Sequence, residues 1–151
     1  MTRHAEDYAE GEVFDLGSVV LEEDAIIAFA REWDPQPFHL DPEAAKHTIF
    51  GGLIASGWHT ALTMMRLMID RGYLSKETSM GSPGIDELRW LKPVRAGDVL
   101  RGRIEVHGVS YPRSRGDIGF VANTGYFTNA AGEDVYRIRS TSIIRRRGGS
   151  A

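Results

Sequence analysis

The segment 53–71 carries an apolar side chain on nearly every helical turn, and Ser56, Thr60, Thr63, Arg66 and Asp70 leave it only a narrow polar stripe. A helix with so little polar surface must be covered around most of its circumference. The cover has to come from the C-terminal half of the chain, which reads as β-structure. Residues 85–94 form a strand candidate ending at Pro93, and Arg95-Ala96-Gly97-Asp98 is turn chemistry. Leu100, Ile104 and Val106 alternate with Arg101, Arg103, Glu105 and His107, the period of a strand with one wet face. Residues 117–128 and 135–144 are two further runs, joined through Asn129-Ala130-Ala131-Gly132-Glu133 as a hairpin-like connection. Ahead of the helix, 13–21 predicts a short strand. Glu22, Glu23 and Asp24 then open a helix with Ala25, Ile26, Phe29, Ala30 and Trp33 on one face. This order predicts an α+β fold in which an antiparallel sheet wraps around one long central helix.

A chain of 151 residues is expected to form one domain, 1–151, and to bury roughly two thirds of its unfolded surface. Residues 1–12 are polar and expected to fray or lie over the surface, 75–84 reads as a loop, and the basic stretch 145–151 as a solvated tail. A net charge of −3 gives no reason to seek nucleic acid or an anionic membrane. The absence of cysteine excludes a disulfide framework and a thiolate nucleophile. The first eleven residues hold no apolar run, so neither a signal peptide nor a membrane span is expected there, and a cytoplasmic setting is.

Two stretches carry candidate chemistry. In Trp33-Asp34-Pro35-Gln36-Pro37-Phe38-His39-Leu40-Asp41, a carboxylate and an imidazole lie five residues apart on a chain stiffened by two prolines. The stretch is expected to be a loop between the first helix and a short one that Asp41, Pro42 and Glu43 open and that runs to about Lys46. An Asp and a His in one cleft can hold a water between them, one taking a proton while the other gives one. Equally, Asp34 could cap a turn and His39 fill a surface niche. In Phe50-Gly51-Gly52-Leu53-Ile54-Ala55-Ser56-Gly57, a glycine-rich turn enters the apolar helix, whose first N–H groups suit an oxygen gaining negative charge. The same glycines would also serve tight packing. His59 is expected to be a packing histidine. His47 and His107 lack partners at ligand spacing, and no metal site is expected. Arg89, Lys92 and Arg95 could meet phosphate groups, but ordinary solvated strand-edge charges are the expected account.

Three blocks together resemble the MaoC-like hydratases and dehydratases, relatives of the R-specific enoyl-CoA hydratases. Asp34-Pro35-Gln36-Pro37-Phe38-His39-Leu40-Asp41 is similar to the family's Asp-x-Asn-Pro-x-His-x-Asp signature, and the glycine-rich block to its Phe-Gly…Ile-Ala-His-Gly segment. Leu88-Arg89-Trp90-Leu91-Lys92-Pro93-Val94-Arg95-Ala96-Gly97-Asp98 is similar to its later strand and turn. The resemblance implies a hot-dog fold that dimerises through its sheet. It implies a hydro-lyase that adds water to a 2-enoyl thioester or removes it from the 3-hydroxyacyl form. Asp34 and His39 would be the dyad and the Gly57 amide the oxyanion donor, with Ser56 and Gln36 beside the substrate. Coenzyme A enters only as part of the substrate, with no other cofactor. Gln36 stands where the family usually has Asn and Ser56 where many hydratases have His, so the departures bear on substrate before reaction. Trp58, Met64, Met65, Leu67 and Met68 would line an acyl tunnel or pack the core. A hot-dog thioesterase and a non-catalytic acyl-thioester-binding subunit are the alternatives. The first would need a helix carboxylate, and 53–69 holds none.

Overall fold

The computed structural model describes residues 1–149. Its centre is one five-stranded antiparallel sheet with strands β1 (Val13–Val20), β2 (Ile85–Trp90), β3 (Val99–Ser110), β4 (Ile118–Thr128) and β5 (Asp134–Arg145), in the order β1-β3-β4-β5-β2. Four helices interrupt the strands: α1 (Glu23–Trp33), α2 (Pro37–Leu40), α3 (Pro42–Ala45) and α4 (Gly57–Asp70). This is the hot-dog arrangement that the resemblance implies, with α4 as the central helix.

A glycine of β4 lets the helix approach the sheet closely. At Gly125, in the middle of β4, an added Cβ would sit 3.1 Å from Ile104 Cδ1, 3.2 Å from Ile138 Cγ2 and 3.4 Å from Met64 Sδ. Met64, Leu67 and Met68 of α4 are buried against Ile104, Val106, Val121, Phe127, Tyr136 and Ile144 of the sheet. Burying each such side chain stabilises the fold by about 1.5–3 kcal/mol. Strand β1 bends at a bulge between Asp15 and Gly17, where Gly17 takes φ +74°.

Several boundaries differ from expectation for identifiable reasons. Helix α4 starts at Gly57, not near residue 53, because Ile54 and Ala55 run extended: Ile54 bridges Arg95, and the Ala55 N–H donates to the Val94 carbonyl at 2.8 Å. Strand β2 stops at Trp90, ahead of Pro93, which cannot donate to a ladder. Nor is α4 buried all round: Trp58, Leu62 and Met65, at i, i+4 and i+7, are 55%, 57% and 46% exposed.

The first twelve residues do not fray. Ala5 and Tyr8 belong to the core, and Arg3 is buried with its guanidinium 4.1 Å above the Tyr8 ring and paired with Glu12 at 2.7 Å. The Arg3 N–H donates to Ser75 Oγ at 2.7 Å, and Tyr8 donates its hydroxyl proton to the Tyr73 carbonyl. The basic stretch after β5 is likewise engaged: Arg146 and Arg147 pair with Glu6 and Asp7. The last two residues of the expected tail, 150–151, lie outside the described residues.

Candidate active site

Asp34 is the C-cap of α1, its N–H closing the helix on the Ala30 carbonyl at 2.9 Å. Pro35 and the extended Gln36 carry the chain to Pro37, which occupies the first turn of α2. His39 therefore sits on a one-turn helix, not in the loop expected from sequence. The cause is local: Pro37 presets a helical φ, and the His39 N–H donates to the Gln36 carbonyl at 2.9 Å. Asp41 ends that turn and caps α3, its Oδ1 accepting from the Glu43 and Ala44 amides.

The separation of Asp34 and His39 depends on a stitch to the segment that leads into α4. The Ile54 N–H donates to the Phe38 carbonyl at 3.0 Å, and His39 Nδ1 lies 2.8 Å from the Ile54 carbonyl. A carbonyl can only accept, so Nδ1 carries a proton and Nε2 is the nitrogen that exchanges one. His39 Nε2 faces Asp34 Oδ2 at 3.2 Å. Gln36 Nε2 donates to Asp34 Oδ1 at 2.6 Å and Ser56 Oγ to Oδ2 at 2.7 Å. Burial alone would raise the Asp34 carboxyl. The hydrogen bonds from Gln36 and Ser56, together with His39, outweigh it and hold the carboxyl below its ordinary value.

A cavity of about 440 Å³ opens on this pair, lined among others by Asp34, Gln36, His39, Gly57, Trp58 and Trp90. Of the sequence candidates, Asp34, His39, Gln36 and Gly57 share its wall. Ser56 lies behind the wall, fully buried, with its hydroxyl on Asp34. Gly57 is the first residue of α4, so its N–H has no partner within the helix. A Cβ there would fall 2.3 Å from Trp90 Cε2, inside the indole, so only glycine lets Trp90 close this side of the cavity. Trp90 meets Trp58 edge to face at 5.3 Å. Sequence reasoning assigns Trp90 no role, since nothing local marks a tryptophan at a strand end as a cavity wall.

The cations flanking the site are occupied. Lys92 lines the cavity mouth and pairs with Glu133, Arg89 pairs with Glu87, and Arg95 donates to the Phe50 carbonyl, bracing the turn before Gly51. His59 stacks on Phe29 with ring centroids 4.7 Å apart and an interplanar angle of 6°, and burial holds its imidazole below its ordinary value. A second cavity, about 360 Å³, lies along another side of α4 against Met64, Met65 and Met68. Among the described residues no three His, Asp or Glu side chains group as metal ligands, and no helix is long and apolar enough to cross a membrane.

Comparison with known proteins places the chain in a family. The model of the MaoC-like domain matches residues 7–123. An uncharacterized protein of Bacillus subtilis, YdeM, is 34% identical over 101 residues, 67% of this chain and 71% of its own. An (R)-specific enoyl-CoA hydratase of Rhodospirillum rubrum is 27% identical over 110 residues, 69% of each chain. The crystal structure of a MaoC-like dehydratase from Rhodospirillum rubrum superposes with a TM-score of 0.88 at 43% identity, over 96% of this chain and 98% of that one.

Proposed function

The chain belongs to the MaoC-like dehydratase family, and on that footing we propose that it is a hydro-lyase interconverting a 2-enoyl thioester and its 3-hydroxyacyl thioester. The observation that carries this reading is the 3.2 Å approach of His39 Nε2 to Asp34 Oδ2 on the wall of an open cavity. In hydration, the water oxygen bonds to C3 of the enoyl group, one water proton passes to the dyad, and the dyad delivers a proton to C2. Dehydration runs the same transfers backwards. Asp34, held as a carboxylate, and His39, with Nδ1 committed to Ile54, provide one acceptor and one exchangeable nitrogen for that shuttle. The unpaired Gly57 N–H at the α4 terminus suits the thioester oxygen as it gains negative charge.

The acyl carrier is read as coenzyme A and the setting as cytoplasmic. The apolar walls of both cavities suit an acyl chain, with Met64, Met65 and Met68 flexible enough to accommodate its shape. The protein is read as a homodimer joined along the β2 edge and the exposed Trp58, Leu62 and Met65 face of α4, which would cover apolar surface the single chain leaves in water. The thioesterase alternative is disfavoured because α4 bears no carboxylate before Asp70, which pairs with Arg66 at 2.6 Å on the exposed end.

The test is loss of enoyl absorbance with crotonyl-CoA and with longer and branched enoyl-CoAs, alongside Asp34→Asn and His39→Ala. Each variant is expected to fold and to lose roughly 10²–10⁴-fold in kcat. Undiminished turnover in both variants would remove the dyad from the mechanism, and thiol release without hydration would favour a thioesterase.

A further inference from the structure

We propose that Ser56 is a positioning residue: its hydroxyl ties down Asp34 Oδ2 so that this oxygen faces His39 Nε2. This assignment rests on the reading of Asp34 and His39 as the proton-transfer pair and goes beyond it by naming what orients the carboxylate.

Three observations carry it. Ser56 stands at the N-cap of α4, where a serine hydroxyl ordinarily accepts a helix N–H, yet it makes no capping hydrogen bond. It donates instead to Asp34, 22 residues earlier, at 2.7 Å. Ser56 is also fully buried and does not line the cavity, so its hydroxyl is engaged by Asp34 and not by a cavity surface of its own. Finally, the terminal torsion of an aspartate is broad and nearly two-fold, so the carboxylate needs outside bonds to present one chosen oxygen. Gln36 holds Oδ1, but Gln36 is exposed and easily drawn to solvent or substrate. Ser56 is the buried arm of the pair. The titratable groups sharing the cavity with Asp34 are His39, at 3.2 Å, and Lys92, which Glu133 neutralises at the mouth. Neither replaces the Ser56 bond.

The test compares the wild-type chain with Ser56→Ala and Ser56→Cys. The thiol is near the hydroxyl in size, a weaker donor, and unique in a chain without cysteine. Carboxyl-carbon NMR follows the Asp34 titration, and crotonyl-CoA hydration supplies kcat and KM. In Ser56→Ala the Asp34 midpoint should rise, because a donor to the charged form is lost. Hydration kcat should fall about ten-fold with little change in KM. Ser56→Cys should fall between, and it carries the comparison if the alanine variant does not fold. An Asp34 midpoint that stays at the wild-type value overturns the assignment. So does a raised KM at unchanged kcat, which would make Ser56 a substrate contact. A wild-type chain inert on every enoyl thioester, but with the Asp34 midpoint displaced in Ser56→Ala, fails the hydratase reading and leaves the Ser56–Asp34 bond standing.

Discussion

Asp34 and His59 respond to acid in different ranges. The Asp34 carboxyl is held below its ordinary 3.8, so the stability it contributes is complete above that value and lost only as pH falls through the lowered one. It does not govern behaviour near neutrality. His59 does, because burial lowers its imidazole from 6.5 and its Nδ1 is buried without a partner. Below 6.5 the unfolded chain binds a proton that the folded chain resists, so stability should decline as pH falls from about 7 toward 5. Thermal midpoints across that range should fall less steeply in His59→Phe, which keeps the stack on Phe29 and cannot take a proton. Superimposable profiles would mean that His59 is hydrated and titrates freely. Asp34 and His39 became candidates in sequence through the resemblance of their stretch to the family signature, since a short Asp/His spacing by itself is common. Which nitrogen of His39 is free was not legible there, because that depends on the Ile54 carbonyl fifteen residues away.

At the scale of elements, the start of α4 joins packing to chemistry. Gly57 gives up a side chain so that Trp90 from β2 can lie across the helix terminus. Gly57→Ala should drive the indole aside, with a stability cost of about 1–3 kcal/mol and a larger relative loss of hydration activity. Tryptophan fluorescence of the folded variant should report the displaced ring. A variant with native fluorescence and full activity would show that Trp90 yields freely. The central helix and the alternating strands were legible because periodicity records which face is wet. The N-terminal segment was not. Its polar composition conceals that Arg3 threads between Tyr8, Phe14 and Tyr73, where cation–π contacts and Glu12 make a buried guanidinium tolerable.

On the scale of the whole molecule, a single chain leaves the apolar face of α4 uncovered. Trp58, Leu62 and Met65 stand in water beside Trp90 and the unpaired edge of β2. Leu62→Glu places a charge on that face without touching the dyad. On the proposed homodimer and hydratase reading, it should shift the sedimentation of the protein from dimer to monomer and reduce hydration activity with it. A dimer unaffected by the substitution would locate the interface elsewhere. The order of elements and the apolar helix derive from local pattern, since periodicity, prolines and glycines act over a few residues, and the candidate residues Asp34 and His39 from the resemblance of their stretch to the family signature. The 3.2 Å meeting of Asp34 with His39, the diversion of Ser56 from its helix cap to Asp34, and the Trp90 wall over Gly57 belong to tertiary structure alone. The last two join segments that only the folded sheet and helix bring within reach, and the first is fixed by the bonds from Ile54 to Phe38 and His39, so no short-range preference encodes such a distance.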